Sequence, residues 1–424
     1  MRVQRILAAV VAVLFTLGCN TPPPHPPGDV AGSDQQRLTT AAPSADLAAA
    51  VAGNTDFGLD LYRQLGANQQ GNLFLSPQSI SLALSMAYAG SAGATQTAFE
   101  NVLHQGLPEA SYHRAMNDLD RQLTSRGQGA KAADGQPFRL NIANQLFAER
   151  TFSFEAPYLD TLALEYGANV RLMDFVSQAE PSRVSINDWV EQKTEDRIKD
   201  LLAQGTISSD TKAVLVNAIY FNAAWATQFK PEATRTGAFH NLAGTTASVP
   251  LMFAPTLSAK GATVNGVEVV SLPYDGNQLS MVVLMPPAGA FASFEQGLTS
   301  AALDTHLAAL RGELLDLTFP KFELKTSATL GEPLRALGLG PAFGESGDFS
   351  RMSTQAQLGI SDVIHQSFVK VSETGTEAAA ATAVIIGTTS LPQTRPVVVD
   401  RPFVFAIRDD ATGAIVFLGR VVEL

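Results

Sequence analysis

Ser367 and Lys370 come closer to a catalytic motif than any other residues in this sequence. In the Ser-x-x-Lys pattern, a serine at a helix start has a lysine one turn later on the same face, where the amine can activate the hydroxyl. Residues 367–370 instead lie in an apolar, β-branched run typical of a strand, where positions three apart point to opposite faces. The sequence also lacks a Gly-x-Ser-x-Gly elbow, a His-Glu-x-x-His motif and a phosphate-binding loop. We therefore expect that the protein is not an enzyme.

The histidines and the single cysteine do not suggest a metal site. None of the six histidines stands at metal-ligand spacing from another. A lone cysteine, Cys19, argues against an intrachain disulfide, a cysteine-based zinc site and an iron–sulfur cluster. Lys and Arg number 29 against 40 Asp and Glu, a net charge of −11, and no dense basic block interrupts that balance. We expect no metal, no cofactor and no nucleic-acid partner.

The first residues have the features of an export signal. Arg2 and Arg5 precede an apolar stretch over 6–17, which is too short for a comfortable membrane span. Residues 1–19 resemble a bacterial lipoprotein signal, in which Cys19 becomes the lipidated first residue of the mature chain. The alternative is an ordinary secretory signal with an unmodified cysteine. In either case residues 1–18 are a signal peptide, and the protein is exported. A lipid on Cys19 would be its only link to a membrane, in the cell envelope or outside the cell.

Residues 19–45 are predicted to form a disordered tether. Five of the six residues from 22 to 27 are proline, and the remainder of the segment is small and polar. A proline run favours extended polyproline II and cannot donate backbone hydrogen bonds. We expect this segment to hold the folded part away from a membrane surface.

Helical patterns dominate the first half of the remaining chain, and strand patterns dominate the second. Apolar residues recur at helical spacing over 46–67, Pro77 suits a helix start, and 181–203 has the pattern of another helix. The β-branched and aromatic runs are 213–221, 267–274, 279–286, 314–325, 368–371 and 402–409, with Gly413 at a later hairpin turn. This order predicts an α+β fold with large, mainly antiparallel sheets. The absence of an internal linker indicates one domain over 46–424.

Residues 373–390, ETGTEAAAATAVIIGTTS, carry conflicting local signals. Alanine is the best helix former and is depleted in strands, yet this segment follows a strand and ends in glycine, threonine and serine. Taken alone, the segment is a short surface helix followed by a flexible loop.

The motifs around this segment change that interpretation. Together, and in the same order, they resemble landmarks of the serpin family across residues 46–424. The motifs are Asn72–Ser79, Leu215–Phe221, Trp225 with Phe229, Leu272–Tyr274, Phe319–Phe322, Arg401–Phe403 and Thr412–Arg420. The resemblance implies a serpin fold with several helices mostly in the first half, three β-sheets and an exposed reactive-centre loop over about 373–396. We also expect a monomer.

The resemblance further implies suicide-substrate inhibition of a serine protease. The protease attacks the loop and forms an acyl-enzyme, and the cleaved loop then inserts into the central sheet as a new strand, carrying the trapped protease with it. The implied hinge comprises Glu373, Gly375, Thr376, Glu377, Ala378, Ala379, Ala380, Ala381 and Thr382. The alternative is a serpin-fold binding protein that proteases cleave without being trapped.

The composition of this hinge suits insertion into a sheet. An inserted strand buries alternate side chains, and counting from Thr376 the alternate residues are small or β-branched and uncharged. They are Thr376, Ala378, Ala380, Thr382 and Val384. Glu377 carries the only charge of the stretch and falls on the opposite face, whereas an unpaired buried charge would oppose insertion. Gly375 supplies backbone freedom at the pivot.

Two counts along the implied loop place the scissile bond. Seventeen residues counted inclusively from Glu373 give Thr389–Ser390, whereas counting back from Arg401 gives a position near Leu391. We prefer Thr389–Ser390, because the inserting arm must have a fixed length. A small residue at the cut favours an elastase-like or subtilisin-like target protease, and Leu391 would favour a chymotrypsin-like one.

The resemblance also assigns two control regions. Ser76, Ser79, Asn217 and His365 match the shutter, a buried polar cluster beneath the sheet centre that governs strand separation. Trp225 matches the breach tryptophan at the top of the sheet, where insertion begins. Without the resemblance, these residues would be ordinary hydrogen-bonded polar groups and a core tryptophan.

Overall fold

Helices occupy mainly the first half of the chain, as the sequence pattern predicts. The computed structural model describes residues 29–355, 358–376 and 393–424. Its α-helices are α1 (Ser44–Asn68), α2 (Pro77–Tyr88), α3 (Gly93–Val102), α4 (Glu109–Thr124), α5 (Ala156–Thr161), α6 (Ala179–Lys193), α7 (Phe291–Gln296), α8 (Ser300–Ala309) and α9 (Gly331–Leu334). A π-helical turn, Leu162–Tyr166, continues α5.

Strands occur throughout the chain and dominate its second half. They are β1 (Val30–Ala31), β2 (Leu73–Leu75), β3 (Arg139–Glu149), β4 (Val170–Met173), β5 (Ala213–Ala224), β6 (Arg235–His240), β7 (Thr246–Val264), β8 (Val267–Pro273), β9 (Leu279–Met285), β10 (Arg311–Pro320), β11 (Phe322–Thr329), β12 (Val363–Val371), β13 (Gly375–Thr376), β14 (Arg395–Val398), β15 (Phe403–Asp409) and β16 (Ile415–Val421).

The strands form two hydrogen-bonded sheets. The first has the order β1-β4-β3-β5-β13-β12-β11, and the second has the order β14-β10-β7-β8-β9-β15-β16-β2, with β6 also paired to β7. The long strand β7 connects the part formed with β6, β10 and β14 to the part formed with β8 and β9, so the three expected sheets are present as two continuous ones. Most pairs are antiparallel, and the exceptions include β5 with β12. The predicted α+β fold is confirmed.

The seven-stranded sheet is covered on both faces. Successive side chains of its central strands point to opposite faces, and both faces carry apolar residues. On one face, Phe221 of β5 packs on Phe417 of the second sheet, with ring centroids 5.6 Å apart. On the other face, Trp189 of α6 lies edge-on to Phe147 of β3 at 5.6 Å. A shift of the β5 register by one residue would therefore turn each of its side chains to the opposite face of the sheet.

Two predicted elements have different bounds. The helix expected over 181–203 ends at Lys193, since Glu195 and Asp196 adopt left-handed backbone conformations with φ of 51° and 61° that stop it. The strand run expected over 314–325 is split between the two sheets. Its first half is β10 and its second half is β11, and Lys321 lies between them.

The prediction that residues 19–45 form a disordered tether is wrong for the residues from 29 onward. Val30 and Ala31 pair with β4, and the amide of Leu38 donates to the carbonyl of Leu164 at 2.8 Å. Helix α1 begins at Ser44, before the predicted domain boundary at residue 46. The segment is ordered because its backbone and its few polar side chains find partners on the folded domain, which composition alone does not reveal. The proline run itself lies outside the described residues.

The described ranges contain neither a membrane-spanning helix nor a candidate metal-binding cluster. No helix in them has the length and apolar character needed to cross a membrane. No group of three or more His, Cys, Asp or Glu side chains in them could hold a metal ion.

Candidate functional site: a strand-insertion slot

A two-residue strand, β13, occupies one end of a slot between β5 and β12. Gly375 and Thr376 pair antiparallel with Ala224 and Ala223 of β5, and Thr376 also pairs with Val371 of β12. Below this point β5 and β12 pair directly, in parallel, over Leu215–Tyr220 and Val363–Phe368. The predicted hinge therefore already begins inside the sheet, which the sequence did not predict.

Gly375 is required by the close approach of neighbouring backbone. Its φ is 154°, a value that L-residues rarely adopt. A side-chain carbon added there would collide with the carbonyl oxygen of Ala223 on β5. The preceding residues turn tightly, with the amide of Ser372 donating to the carbonyl of Gly375 at 2.9 Å. This turn reverses the chain between β12 and β13.

The side chain of Thr376 points into the molecule and is fully buried. Its hydroxyl shares a hydrogen bond of 2.8 Å with the hydroxyl of Tyr274. Tyr274 stacks on Trp225, with ring centroids 4.7 Å apart and planes 9° from parallel. Burial raises the pKa of the Tyr274 hydroxyl well above its ordinary value, so this group remains a neutral donor and acceptor.

Trp225 and its neighbours hold the turn that precedes β13. The indole nitrogen of Trp225 donates to the carbonyl of Ser372 at 2.9 Å, and its amide donates to the carbonyl of Thr374 at 3.0 Å. The amide of Phe229 donates to the carbonyl of Glu373 at 2.8 Å. The predicted breach residue therefore contacts the hinge directly, and its functional role at that contact stays a prediction.

Glu373 anchors the turn through its carboxylate. Lys321 Nζ lies 2.8 Å from one carboxylate oxygen, and the hydroxyl of Thr234 donates to the other at 2.7 Å. Burial alone would raise the pKa of Glu373, but the hydrogen bonds from Lys321 and Thr234 outweigh it and hold that pKa below the usual value. The carboxylate is therefore charged at neutral pH, with both oxygens satisfied.

The four predicted shutter residues lie together where β5 and β12 are in direct contact. His365 and Asn217 face each other across the two strands, and His365 Nδ1 is 2.5 Å from Asn217 Oδ1. Asn217 Nδ2 donates to Ser79 Oγ at 2.5 Å. Ser76 caps α2 by accepting the amide of Ser79 at 3.2 Å. All four residues are fully buried.

The geometry determines the protonation state of His365. Its Nε2 accepts the backbone amide of Ser76 at 3.2 Å, so that nitrogen carries no proton, and Nδ1 donates to Asn217. A charged imidazolium would place two N–H groups against each other at Ser76. Complete burial lowers the pKa of His365 to about 3. The side chain that joins the two strands is therefore neutral over the whole physiological range.

The hydrolase alternative does not fit the geometry of Ser367 and Lys370. The hydroxyl of Ser367 is buried and donates to the carbonyl of Phe74 at 2.7 Å. Lys370 is exposed and pairs with Glu323 at 3.2 Å. The two side chains occupy opposite faces of β12, as the strand pattern predicts.

The chain resumes at the other end of the loop in β14, at the edge of the second sheet. Thr394 donates to Asp316 at 2.7 Å, and Arg395 pairs with Glu268 and Glu313, each at 2.6 Å. The hydrogen bonds that Arg395 donates to Glu313 raise the pKa of Arg395 above its ordinary value. Arg395 thus anchors this end of the loop to the second sheet.

Several predicted residues lie outside the described ranges. These are Cys19, Glu377, Ala378, Ala379, Ala380, Ala381, Thr382, Thr389, Ser390 and the alternative Leu391.

Four residues of the site were missed by the sequence reasoning. They are Thr234, Tyr274, Lys321 and Asn144, whose Oδ1 accepts from Asn217 at 2.5 Å. Tyr274 and Lys321 stand inside the quoted motifs Leu272–Tyr274 and Phe319–Phe322, so a signal for them was available. No local signal marked Thr234 or Asn144, because only the tertiary fold brings them to the site.

Comparisons with known proteins identify the family. The profile described as "Serpin (serine protease inhibitor)" matches residues 52–424. Leukocyte elastase inhibitor from Sus scrofa is 37% identical over 382 residues, which is 87% of this chain and 98% of the inhibitor. Native tengpin, a thermophilic serpin, has a TM-score of 0.79 at 26% identity, covering 88% of this chain and 94% of tengpin. Human thyroxine-binding globulin complexed with thyroxine has a TM-score of 0.79 at 28% identity, and the match covers 89% of this chain and 99% of the globulin.

The chain therefore belongs to the serpin family of serine protease inhibitors. The family and the relatives that are named as inhibitors indicate a protease inhibitor rather than an enzyme.

Because His365 is buried and neutral, it should make the free energy of unfolding depend on pH. A substitution at this position should remove that contribution. Because the folded pKa of about 3 lies below the unfolded value near 6.5, the unfolded chain binds a proton that the folded chain excludes. Stability is then full above about pH 6.5 and declines as the pH falls. Between about pH 7.5 and 5 the loss from this residue is about 2 kcal/mol in the free energy of unfolding.

Denaturant titration of the wild type and of His365→Gln at both pH values measures this loss. The glutamine retains a donor and an acceptor but does not titrate, so its decline should be smaller by about 2 kcal/mol. The exposed His240→Gln is the matched control and should retain the wild-type decline. An equal decline in all three proteins would contradict the assignment.

Proposed function

We propose that this chain inhibits serine proteases by trapping them, with residues from 377 to about 389 entering the slot between β5 and β12 after cleavage. Membership of the serpin family supports inhibition in general. The observation that carries the specific mechanism is β13, which is already paired on both sides at the open end of the slot. Insertion would extend an existing strand and would not need to nucleate a new one.

The register of β13 tells where each following residue would lie. Thr376 faces Ala223 on β5 and Val371 on β12, so each further residue moves one position back along both strands. Thr382, six positions on, would arrive between Asn217 and His365. Its hydroxyl would enter the polar cluster at the point where the His365–Asn217 hydrogen bond has to break.

The other residues of the inserting segment also suit the positions that they would reach between β5 and β12. The alanines at 378 and 380 would arrive on the inner face beside apolar residues of β5, Phe221 and Ile219, which are buried there. Glu377 would lie on the outer face beside Lys370, which is exposed and can serve as its partner. The insertion therefore requires no unpaired buried charge.

Insertion also improves the hydrogen bonding of the sheet. The direct contact between β5 and β12 is a single parallel ladder. A strand that continues β13 would replace it with two antiparallel ladders, which adds hydrogen bonds, and antiparallel pairing is slightly more stable per residue. The thirteen residues from 377 to 389 span about 43 Å when extended, enough to carry a bound protease along the sheet.

For the target, we propose an elastase-like or subtilisin-like protease that cleaves Thr389–Ser390. The small residue on the amino side of this bond and the relationship to a leukocyte elastase inhibitor support this choice. A chymotrypsin-like protease acting near Leu391 is the alternative. A non-trapping binding protein is the alternative function, and it is separated by the experiment below.

Incubation with elastase, subtilisin and chymotrypsin tests the mechanism. We expect a covalent complex that survives SDS, together with a released C-terminal peptide whose first residue is Ser390, as read by mass spectrometry. A released peptide that starts elsewhere would move the scissile bond. Cleavage without any complex, across a broad protease panel, would establish substrate behaviour and reject trapping.

A substitution at Thr382 tests the register. Thr382→Val retains the volume but leaves Asn217 and His365 without the incoming hydroxyl, a cost of about 1–3 kcal/mol in the inserted state. Slower insertion lets more acyl-enzyme hydrolyse, so the number of inhibitor molecules consumed per protease should rise by about three- to tenfold.

Two further variants calibrate this measurement. Thr382→Ser retains the hydroxyl and should behave as the wild type. Thr376→Arg would bury a charge against Tyr274 and should convert the protein into a substrate. Equal stoichiometry for valine and serine at 382 would disprove the proposed register, and undiminished trapping by Thr376→Arg would disprove insertion itself.

We propose that the protein is exported and anchored by a lipid on Cys19. The signal-like residues 1–18 and the cysteine that follows them support this location. Metabolic labelling with a fatty acid should mark the wild type and not Cys19→Ala. Export of an unlabelled wild-type chain would indicate the ordinary secretory signal.

A further inference from the structure

Residues 29–43, here called the strap, connect the edge of the seven-stranded sheet to a helix behind it. At the sheet end, Val30 and Ala31 pair antiparallel with Arg171 and Val170 of β4. The amide of Leu172 donates to the carbonyl of Asp29 at 2.7 Å. The strap therefore forms the outermost strand of the sheet in which insertion would occur.

The other end of the strap is bound to α4 by Arg37. Its Nε donates to Asn117 Oδ1 at 2.9 Å, and one terminal nitrogen pairs with Asp120 at 2.7 Å. The Asp120 side chain is only 11% exposed, so without Arg37 it would be a nearly buried carboxylate lacking its cation. Asn117 returns a hydrogen bond to the carbonyl of Leu38 at 3.0 Å.

Two more contacts extend the attachment along α4. Arg121 donates to the carbonyl of Thr39 at 2.8 Å, and Asp118 accepts the amide of Ala42 at 3.2 Å. Next to Arg37, the strap amide of Leu38 donates to the carbonyl of Leu164 in the π-helical turn after α5. The strap is thus attached first to the sheet and then, from Arg37 onward, to α4 and to the turn after α5.

Helix α4 is in turn fixed to the second sheet. Just beyond its end, Arg126 pairs with the fully buried carboxylate of Asp409 on β15, with Nε 2.6 Å from Oδ1. Hydrogen bonds from Arg126 and Thr412 outweigh the effect of burial and lower the pKa of Asp409. Motion of β4 relative to the second sheet would therefore have to distort the strap or break its contacts.

We infer that the strap is a brake on the opening of the slot. Separation of β5 from β12 has to displace β5, β3 and β4 together, because these strands are hydrogen-bonded in that order. The strap joins the outer edge of this moving group to α4, which the Arg126–Asp409 pair holds to the stationary sheet. The strap slows insertion of the uncleaved loop and so preserves the inhibitory state. This inference rests on the proposed insertion mechanism.

The test compares the full mature chain with Arg37→Ala. At raised temperature, spontaneous loss of inhibitory activity without cleavage should be about tenfold faster in the variant. Arg150→Ala is the matched control, since it removes another strap contact whose side chains, Arg150 and Asp29, are 51% and 63% exposed. Such an exposed pair contributes little, and the control should stay within about twofold of the wild type.

The rate of hydrogen exchange in β3, β4 and β5 measures how strongly the strap restrains the sheet, and it requires no protease. Faster exchange in Arg37→Ala supports the brake, and exchange and inactivation rates equal to those of the wild type overturn it. If Arg37→Ala does not fold, Arg37→Lys retains the charge but loses the two-point contact, and the same two criteria apply. A wild type that traps no protease would reject the proposed function, while the exchange result would still decide whether the strap restrains the sheet.

Discussion

The direct contact between β5 and β12 is the constraint on which the rest of the structure depends. The seven-stranded sheet is open at one end, where β13 lies between the two strands, and closed below, where they form a parallel ladder. Within the closed part, His365 and Asn217 face each other and share a hydrogen bond, and the first turn of α2 holds them from beneath. A neutral imidazole suits this place, because it accepts from Ser76 and donates to Asn217 in one fixed tautomer.

Much of this arrangement could be predicted from the sequence, because its components are carried by short motifs. Ser76 and Ser79 flank the proline that starts α2, and the strand runs containing Asn217 and His365 are strongly β-branched. From Thr376 onward, alternate residues are small or β-branched and uncharged, although the segment is rich in alanine. This period-two pattern suits a segment that would enter the middle of a sheet.

Other features could not be predicted, because they are decided by contacts between distant parts of the chain. The burial of Thr376 depends on the hydroxyl of Tyr274, about a hundred positions earlier, and on the backbone of Ala223. The order of the strap depends on Arg37 reaching α4. The composition of residues 29–45 is that of a polar linker. The helix pattern over 181–203 did not reveal the left-handed residues that end α6.

The two ends of the loop explain why cleavage would trigger insertion. One end is already in the slot at Thr376, and the other is fixed at Arg395 by two glutamates in the second sheet. With the chain intact, the arm cannot extend down the slot unless β14 leaves its partner β10, which breaks the Arg395 and Thr394 contacts as well as the backbone pairing. Cleavage between these ends removes that requirement at once. In the proposed mechanism, the barrier that remains is the separation of β5 from β12, which the contacts of His365 with Asn217 and of the strap with α4 would oppose.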